Sequence, residues 1–441
     1  MIYLKKHSFI LLLVLFINTC WSQEVINSAS VEQKTYQLFQ EKNWTELITY
    51  GNLAISEGID YYYLRVRIGI AYYEKKNYSL AVIHFIKALH YNSDDELTQE
   101  YIYYCYLFNG RYEDARVFSK QFSASLSEKI GTTKQQPISL IFIETGSKKT
   151  NQKDYYNEGS KSNTNYFKSP FYLQIGLNHY VKNKVSILHA VTVFDQKTFV
   201  NKVNQYQYYL KGTIPLKHNL LISPSVHFIN VKVSNEFINT RIDTLWPIGV
   251  PPHTLPPPGA APYKTVTTTN SITNSQRSTY FVGSLAVQKI IRKFVFGIGT
   301  SFSNMNNVNQ FIHSGSVSYA PFGNPKLMLG CTAYIHTSDS YNTTYTSPLP
   351  FIYFQPTNQL SVKISYLYNK RNNIIEDNGY LINNSADLTK SRYSALLNYN
   401  INNRVAIYGL YQLEYKQENV QQFNYQYHVF MAGIKLFPTR K

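Results

Sequence analysis

The chain has 441 residues, with 43 lysines and arginines against 26 aspartates and glutamates and a formal net charge of +17. The basic residues are scattered and form no recognisable module, which argues against nucleic-acid binding. Beyond the N-terminus there is no apolar run of about eighteen residues, so no transmembrane helix is expected there. The chain nevertheless contains 40 Tyr and 25 Phe. So many aromatic residues without a spanning helix favour β-structure at a membrane.

The N-terminus, MIYLKKHSFILLLVLFINTCWSQEV, has the pattern of a secretory signal peptide. The basic residues Lys5 and Lys6 precede an apolar run that is too short for a spanning helix, and the small residue Ser22 follows it. We therefore expect residues 1–22 to be removed on export. An acyl anchor on Cys20 is disfavoured, because the residues before it lack the small side chains that such processing usually requires.

Two cysteines, Cys105 and Cys331, remain after this cleavage, far apart in the sequence. Their separation argues against a disulfide framework or a cysteine metal site, and we expect both to be small buried or strand residues.

The sequence contains no glycine-rich phosphate loop, no histidine pair at metal-ligand spacing and no nucleophile-elbow motif. We therefore expect no cofactor, no metal and no enzymatic activity.

Residues 23–130 have helical spacing and an internal period. The aromatic residues Trp44, Tyr78 and Tyr112 lie 78 − 44 = 34 and 112 − 78 = 34 positions apart. The residue three positions after each of these aromatic residues is small or apolar, so the 34-residue spacing recurs there. A period of about 34 residues is the tetratricopeptide length.

The central unit resembles the tetratricopeptide repeat family, in which small and aromatic residues pack the two helices of a unit. The positions that carry the resemblance are Gly69, Ala71, Tyr72, Tyr78, Ala81, Phe85 and Ala88. Ser93 replaces the usual closing proline, and the flanking units match more loosely, as terminal repeats often do. The resemblance implies a scaffold that docks a partner protein or polymer. The alternative is an ordinary helical domain with helices of similar length.

From residue 131 to 441, apolar and polar residues alternate as in strands with two unlike faces. In one such stretch, small and polar residues alternate with an apolar face that consists of Phe294, Phe296, Ile298, Thr300 and Phe302. A soluble β-domain would turn its polar face outward, whereas a membrane barrel would turn its apolar face to lipid. Periodicity alone does not separate these two alternatives.

The links between strands favour the barrel. We count about fourteen strands of roughly ten residues, the length that crosses a tilted barrel wall. Links after even-numbered strands are tight, whereas most links after odd-numbered strands are long and polar, including 370–389. This asymmetry is typical of outer-membrane barrels, whose short turns face the periplasm. The predicted fold is therefore a helical repeat domain followed by an antiparallel transmembrane β-barrel, with the helices in the periplasm.

Several positions carry more specific expectations. The Phe294 face should contact hydrocarbon, and a bulge or misplaced strand is expected at His189, which shares the lipid-face parity. The lumen candidates are Lys211, Lys363, Glu414 and Lys416. They indicate a mildly basic lumen that would favour anionic cargo.

Basic residues at the rims and a proline-rich segment carry further expectations. Basic residues at the rims, such as Lys148, Lys149 and Lys153, could meet outer-membrane lipid and lipopolysaccharide, and the favoured alternative is that they are ordinary solvated charges. The segment 245–263, LWPIGVPPHTLPPPGAAPY, cannot join a central strand ladder. It could form a plug, a binding loop or a flexible excursion. The enzyme alternative would be a lipid-modifying barrel that uses His179, His218 or His336 near a rim.

The order of signal peptide, repeats and barrel resembles the outer-membrane secretins of exopolysaccharide systems, YaiO-type barrel proteins and surface-lipoprotein export barrels. The resemblance implies a periplasmic array that hands a polysaccharide or similar polar cargo to a conducting barrel. The alternative is a non-conducting outer-membrane anchor, whose repeats recruit partners for envelope assembly or adhesion.

Overall fold

The computed structural model describes residues 26–133, 136–150, 168–182, 184–197, 201–245, 264–338, 341–417 and 423–438. The expected signal peptide and residues 246–263 of the proline-rich segment lie outside these ranges. The chain divides into two compact units, residues 1–105 and 106–441. In the described residues, no helix is long and apolar enough to cross a bilayer.

The first unit is built from helical pairs. Its helices are α1 (Ser28–Gln40), α2 (Trp44–Ser56), α3 (Tyr62–Glu74), α4 (Tyr78–Leu89) and α5 (Glu96–Phe108), the last of which runs past the unit boundary. Helix starts repeat at 62 − 28 = 34 and 96 − 62 = 34 residues, and those of α2 and α4 are 78 − 44 = 34 apart. Asn43 and Asn77, one period apart, cap α2 and α4 by accepting bonds from backbone N–H groups.

The residues that carry the tetratricopeptide resemblance lie in the packed interior of this unit. Ala71, Ala81, Phe85 and Ala88 are fully buried, while Tyr72 and Tyr78 are partly buried. Gly69 is required because a Cβ there would lie 2.6 Å from the ring of Phe85. The helical pairs therefore approach each other through small side chains.

The second unit is a closed antiparallel β-barrel preceded by two short helices, α6 (Tyr112–Phe118) and α7 (Ala124–Ile130). Each strand pairs with its sequence neighbours, and the first strand closes the barrel on the last. The strands are β1 (Ile138–Thr150), β2 (Lys168–Val181), β3 (Val185–Lys197), β4 (Asn201–Leu216), β5 (Leu220–Leu245), β6 (Lys264–Ile291), β7 (Phe294–Ser303), β8 (Gln310–Tyr319), β9 (Leu327–Ser338), β10 (Tyr341–Phe354), β11 (Leu360–Glu376), β12 (Leu381–Asn400), β13 (Val405–Gln417) and β14 (Asn424–Leu436). The predicted fold class, helices followed by a barrel of about fourteen strands, is confirmed.

The two rims differ as the sequence predicts. Turns after even-numbered strands are tight, and several use left-handed backbone, at Lys182, His218, Asn219 and Arg292. We call this end the short-turn rim and the opposite end the long-loop rim. The predicted polar loop 370–389 is wrong in detail, because strand pairing continues through most of it, up to Glu376 and again from Leu381.

Helix α6 lies against the short-turn rim. Arg111, just before the helix, donates from Nη2 to Asn219 Oδ1 at 2.8 Å. The guanidinium of Arg116 lies 4.1 Å from the centre of the Tyr180 ring, and Lys120 Nζ donates to the carbonyl of Lys182 at 2.8 Å. Helix α6 is thus anchored at the end where the expected periplasmic turns lie.

The outward face of the barrel is a belt of exposed apolar side chains. The face predicted from Phe294 points outward, and Ile298 at the centre of β7 is 69% exposed. Other members are Ile143, Ile175, Val191, Ile352, Ile364, Leu397 and Ile434. A closed sheet with an apolar exterior has the surface that a lipid environment requires.

The expectation of a bulge at His189 is wrong. The pairing of β3 with β2 and β4 continues without a shift through this residue. His189 lies on the outward face, where its ring stacks on that of His179 at 5.1 Å. Its Nδ1 lies 2.7 Å from the hydroxyl of Tyr208. The Tyr208 hydroxyl thus gives the His189 ring a polar partner on the outward face.

Candidate functional site

The connection between β11 and β12 folds into the barrel lumen. The two strands leave regular register near Arg371 and pair again from Asn373 with Asn384 to Glu376 with Leu381. We call residues 373–384 the lumenal hairpin. Its turn places three consecutive residues, Asp377, Asn378 and Gly379, at φ values of 48°, 57° and 77°. Asp, Asn and Gly are the residue types that best tolerate this left-handed backbone.

The turn of the lumenal hairpin is bonded to strands on the other side of the barrel. Tyr209 of β4 donates its hydroxyl to the carbonyl of Asn378 at 3.2 Å, and Ser225 of β5 donates to the same carbonyl. His227 Nδ1 donates to the carbonyl of Gly379 at 2.7 Å. β5 is six strands from β11 around the closed sheet. These bonds therefore fix the turn across the lumen.

Apolar packing supports the same position. Ile375 of the lumenal hairpin is 3% exposed and packs in a cluster with Ile229, Val282 and Met305. Ile382, on the return strand, packs against this cluster. Burial of each such side chain contributes roughly 1.5–3 kcal/mol relative to exposure. The hairpin is thus held by its own small core as well as by hydrogen bonds.

A buried ion pair joins the hairpin, at the residue just before its turn, to the barrel wall. Nη2 of Arg392, on β12, donates to both carboxylate oxygens of Glu376, at 2.7 and 2.8 Å. The two side chains are 7% and 5% exposed. A charge at this depth needs its partner, because an isolated buried charge is strongly destabilising.

A second charged group lies nearby on the wall. Lys148 and Lys416 each place Nζ 3.8 Å from Glu414 Oε2. Lys148 thus lines the lumen and not the outer surface of the rim where it was expected, and Lys153 lies outside the described residues. Asp387 accepts a hydrogen bond from the hydroxyl of Tyr425. Acidic and basic side chains therefore alternate over this part of the lumen.

The lumenal hairpin separates two cavities. The outer cavity, about 370 Å³, lies toward the long-loop rim and is lined by Glu376 and Leu381 of the hairpin together with the charged residues of the wall. The inner cavity, about 380 Å³, lies toward the short-turn rim and is lined by Asp377 and Asn378 together with Lys211. Tyr380 lines both cavities. The hairpin is thus a partition within the barrel.

The sequence-predicted lumen residues fall into different environments. Glu414 and Lys416 line the outer cavity, where they form an ion pair, whereas Lys211 lines the inner cavity. Lys363 has its ammonium 4.8 Å from the centre of the Phe351 ring. The structure thus brings only two of the four together, and the acids beside Lys416 and Arg392 offset the basic character that was expected.

Sequence reasoning missed Glu376, Arg392 and the turn Asp377–Gly379. A usable signal was present in NNIIEDNGYLINN, where a turn tripeptide stands between two apolar pairs. That pattern predicts a hairpin with a buried face. It does not predict which surface the hairpin covers.

The histidines of the enzyme alternative do not converge. His179 lies on the outward face, His218 is in a turn at the short-turn rim, and His336 Nε2 contacts Gln310 Oε1 at 3.1 Å. Within the ranges that the structure describes, no group of three or more His, Cys, Asp or Glu side chains could hold a metal ion.

Comparison with known proteins yields matches only to solved structures. No family model matches the chain, and no curated protein matches it. A Pseudomonas aeruginosa FadL homologue is 10% identical with a TM-score of 0.39, covering 68% of this chain and 90% of its own. The Pseudomonas putida toluene transporter TodX is 8% identical with a TM-score of 0.40, covering 68% and 88%. A bacterial polysaccharide outer membrane secretin is 8% identical with a TM-score of 0.34, covering 69% and 99%.

Proposed function

We propose that this protein is a gated conduit in the bacterial outer membrane for polar cargo, and that the lumenal hairpin is its gate. The observation that carries the proposal is the hairpin between two lumenal cavities, with its turn bonded to the opposite wall. Because one short segment forms the partition, it can move out of the lumen without breaking the pairing of the barrel strands.

The outward belt of apolar residues supports insertion in a membrane. With the short-turn rim in the periplasm, helices α6 and α7 lie on the periplasmic side, and the repeats that precede them form a periplasmic array. We propose that this array is tetratricopeptide-like and binds a partner protein or a polymer. Outer-membrane lipid and lipopolysaccharide are then the surroundings of the barrel and its long-loop rim.

The lining of the outer cavity supports polar cargo such as a polysaccharide. It contains five glutamine side chains, Gln174, Gln196, Gln205, Gln207 and Gln412. Amides both donate and accept hydrogen bonds, which suits hydroxyl-rich ligands. Tyr172 and Phe194 add aromatic faces to the same cavity. We propose no enzymatic step at this site.

A reversible disulfide between the hairpin and the wall tests the gate. A Cβ built on Gly379 lies 4.0 Å from Cβ of Ser284, within the range of about 3.5–4.5 Å that a disulfide needs. We would therefore introduce Gly379→Cys and Ser284→Cys together in a chain that begins at Gln23 and carries Cys105→Ala and Cys331→Ala. Since cysteine at φ +77 is strained, a second variant replaces residues 374–382 with a glycine-serine linker.

Single-channel recording in planar bilayers gives the result. We expect the linker variant to conduct, the oxidised double-cysteine variant to be silent, and reduction to restore openings in the latter. The single variant Ser284→Cys, which cannot form this disulfide, controls for effects of the oxidant. Equal conductance of the oxidised and reduced forms would show that the hairpin is not the gate.

Silence of the linker variant in a folded, heat-modifiable barrel would overturn the conduit. It would favour the second candidate, a non-conducting outer-membrane anchor for the helical repeats. The dense bonding of the hairpin to Tyr209, Ser225 and His227 is the observation on which that candidate rests.

A further inference from the structure

Within the proposed function, on which this inference rests, we propose that Arg392 is the binding residue for a carboxylated saccharide in the outer cavity. The ligand carboxylate takes the place of Glu376 on the guanidinium and so releases the lumenal hairpin.

The guanidinium of Arg392 is only partly used in the closed state. One nitrogen, Nη2, donates to both oxygens of Glu376. Nε is buried and has no hydrogen-bond partner among the described side chains. A carboxylate that faces the guanidinium fork can instead accept from two nitrogens in parallel, which is the stronger arrangement. Glu376 therefore does not use the full hydrogen-bonding capacity of the guanidinium.

The charges of the wall also fit a monoanion. Among the charged residues that line the outer cavity, Arg392, Lys148 and Lys416 lie with Glu414 and Asp387 on the wall, three cations against two acids. Glu376 of the hairpin supplies the third acid. When the hairpin leaves, this set of lining residues has one excess positive charge, and a ligand with one carboxylate takes the place of the lost acid.

The remaining lining is suited to the uncharged body of a saccharide. Gln174 and Gln207 line the cavity together with the aromatic rings of Tyr172 and Phe194. The amides can bond hydroxyl groups and the rings can cover the apolar face of a sugar. This combination favours a sugar acid over a simple inorganic anion, which could use only Arg392 and the lysines.

Glu376 is adjacent to the turn of the hairpin, so its displacement acts directly on the gate. The residue after it, Asp377, begins the left-handed turn that the opposite wall holds. A ligand that binds only when Glu376 has left favours the released hairpin. By linkage, the ligand favours the released hairpin by the same factor by which fixing the hairpin weakens ligand binding.

Calorimetric titration of the full chain from Gln23 in detergent tests the site without requiring conductance. The probe is galacturonate, with uncharged galactose as the matched control. We expect galacturonate to bind the unmodified protein. Arg392→Lys should weaken galacturonate binding by about tenfold or more, because lysine keeps the charge but lacks the guanidinium fork. Glu376→Gln should strengthen galacturonate binding by about tenfold, since it removes the carboxylate that competes for Arg392. Galactose binding should be the same in all three.

The double-cysteine variant supplies the coupling test. Galacturonate should bind about tenfold more weakly to the oxidised form than to the reduced form. Unchanged galacturonate affinity in Arg392→Lys, or no gain in Glu376→Gln, would overturn the site. Equal affinity of the oxidised and reduced forms would overturn the coupling to the hairpin. If binding behaves as expected but the linker variant is silent in bilayers, only the conduit fails, so the two failures are distinguishable.

Discussion

At the scale of single residues, the barrel wall depends on glycines that lie under aromatic rings. Phe142 covers Gly176, Phe351 covers Gly330, and Tyr408 covers Gly433. The hydroxyl of Tyr408 donates to Glu144 at 2.7 Å, which fixes the ring in place. These pairs let neighbouring strands curve without leaving a void.

Replacing Gly433 with alanine should destabilise the barrel by about 1–3 kcal/mol, the usual cost of overpacking. A Cβ there would lie 2.4 Å from the Tyr408 ring, and the ring is not free to move. The measurement is the free energy of unfolding of the barrel in detergent. Gly409→Ala is the matched control, because the nearest atom to its Cβ is 3.9 Å away. Equal stability of the two variants would contradict the packing argument.

The helical unit contains a buried histidine that makes it sensitive to acid. His84 is 8% exposed, and its Nδ1 lies 3.3 Å from Arg65 Nη1. Burial, and then the nearby charge of Arg65, lower the pKa of His84 to about 4. Asp60, which pairs with Arg65 at 2.6 Å, opposes this shift.

Because the folded-state pKa of His84 is depressed, the unfolded chain binds this proton first as the pH falls. The unfavourable effect is absent above about pH 6.5 and grows toward pH 4, to at most about 3 kcal/mol. The urea midpoint of the helical unit, followed by Trp44 fluorescence in a Trp246→Phe chain, should fall between pH 7.5 and 4.5. His84→Gln should flatten this dependence. The same slope in both proteins would show that another group is responsible.

At the scale of elements, the packing of α3 against α4 depends on one close approach. Gly69 of α3 lies beneath the ring of Phe85 on α4, and that ring is stacked on Tyr101 at 4.9 Å. A side chain larger than hydrogen at position 69 therefore separates the two helices.

Gly69→Ala should lower the free energy of unfolding of the helical unit by about 1–3 kcal/mol. In a Phe85→Leu background the same substitution should cost less, since the smaller side chain leaves space for the added methyl group. Urea unfolding followed by Trp44 fluorescence measures both costs. Identical costs in the two backgrounds would mean that residues 69 and 85 are not coupled.

At the scale of the whole molecule, adjacent positions of a strand need opposite polarity, because one faces the outward apolar belt and the next faces the polar lumen. Ile298 points outward at mid-strand, whereas Gln288 of the neighbouring strand lines the inner cavity. Since the same sheet separates the two surroundings, a charge should be tolerated on one face only.

Ile298→Lys should impair folding into lipid bilayers by roughly 2–4 kcal/mol, the cost of a cation near the bilayer midplane. Gln288→Lys, on the lumen face, is the matched control and should fold as the unmodified chain does. The heat-modifiable fraction after folding into vesicles is the measurement. Efficient folding of Ile298→Lys would argue against contact of this face with lipid.

The sequence by itself determined the helices, the fourteen-stranded barrel, the outward direction of the Phe294 face and the positions of the tight turns. The helices, the strands and the tight turns are local properties, since periodicity and turn residues act over a few positions along the chain. The barrel followed from the alternation of short and long links between the strands. His189 is an exception, because its polarity suggested a break in strand pairing, whereas the pairing is regular and Tyr208 of the next strand contacts the ring.

Only the tertiary structure decided that the segment after β11 folds into the lumen. The bond from Tyr209 to Asn378 joins residues 169 positions apart, and the other wall contacts of the turn are similarly distant in sequence. The tripeptide Asp377–Gly379 specifies a turn in any surroundings, but its location depends on a wall that exists only when the barrel has closed. The fold therefore follows from local patterns, whereas the candidate gate and the role of Arg392 depend on contacts that no local pattern contains.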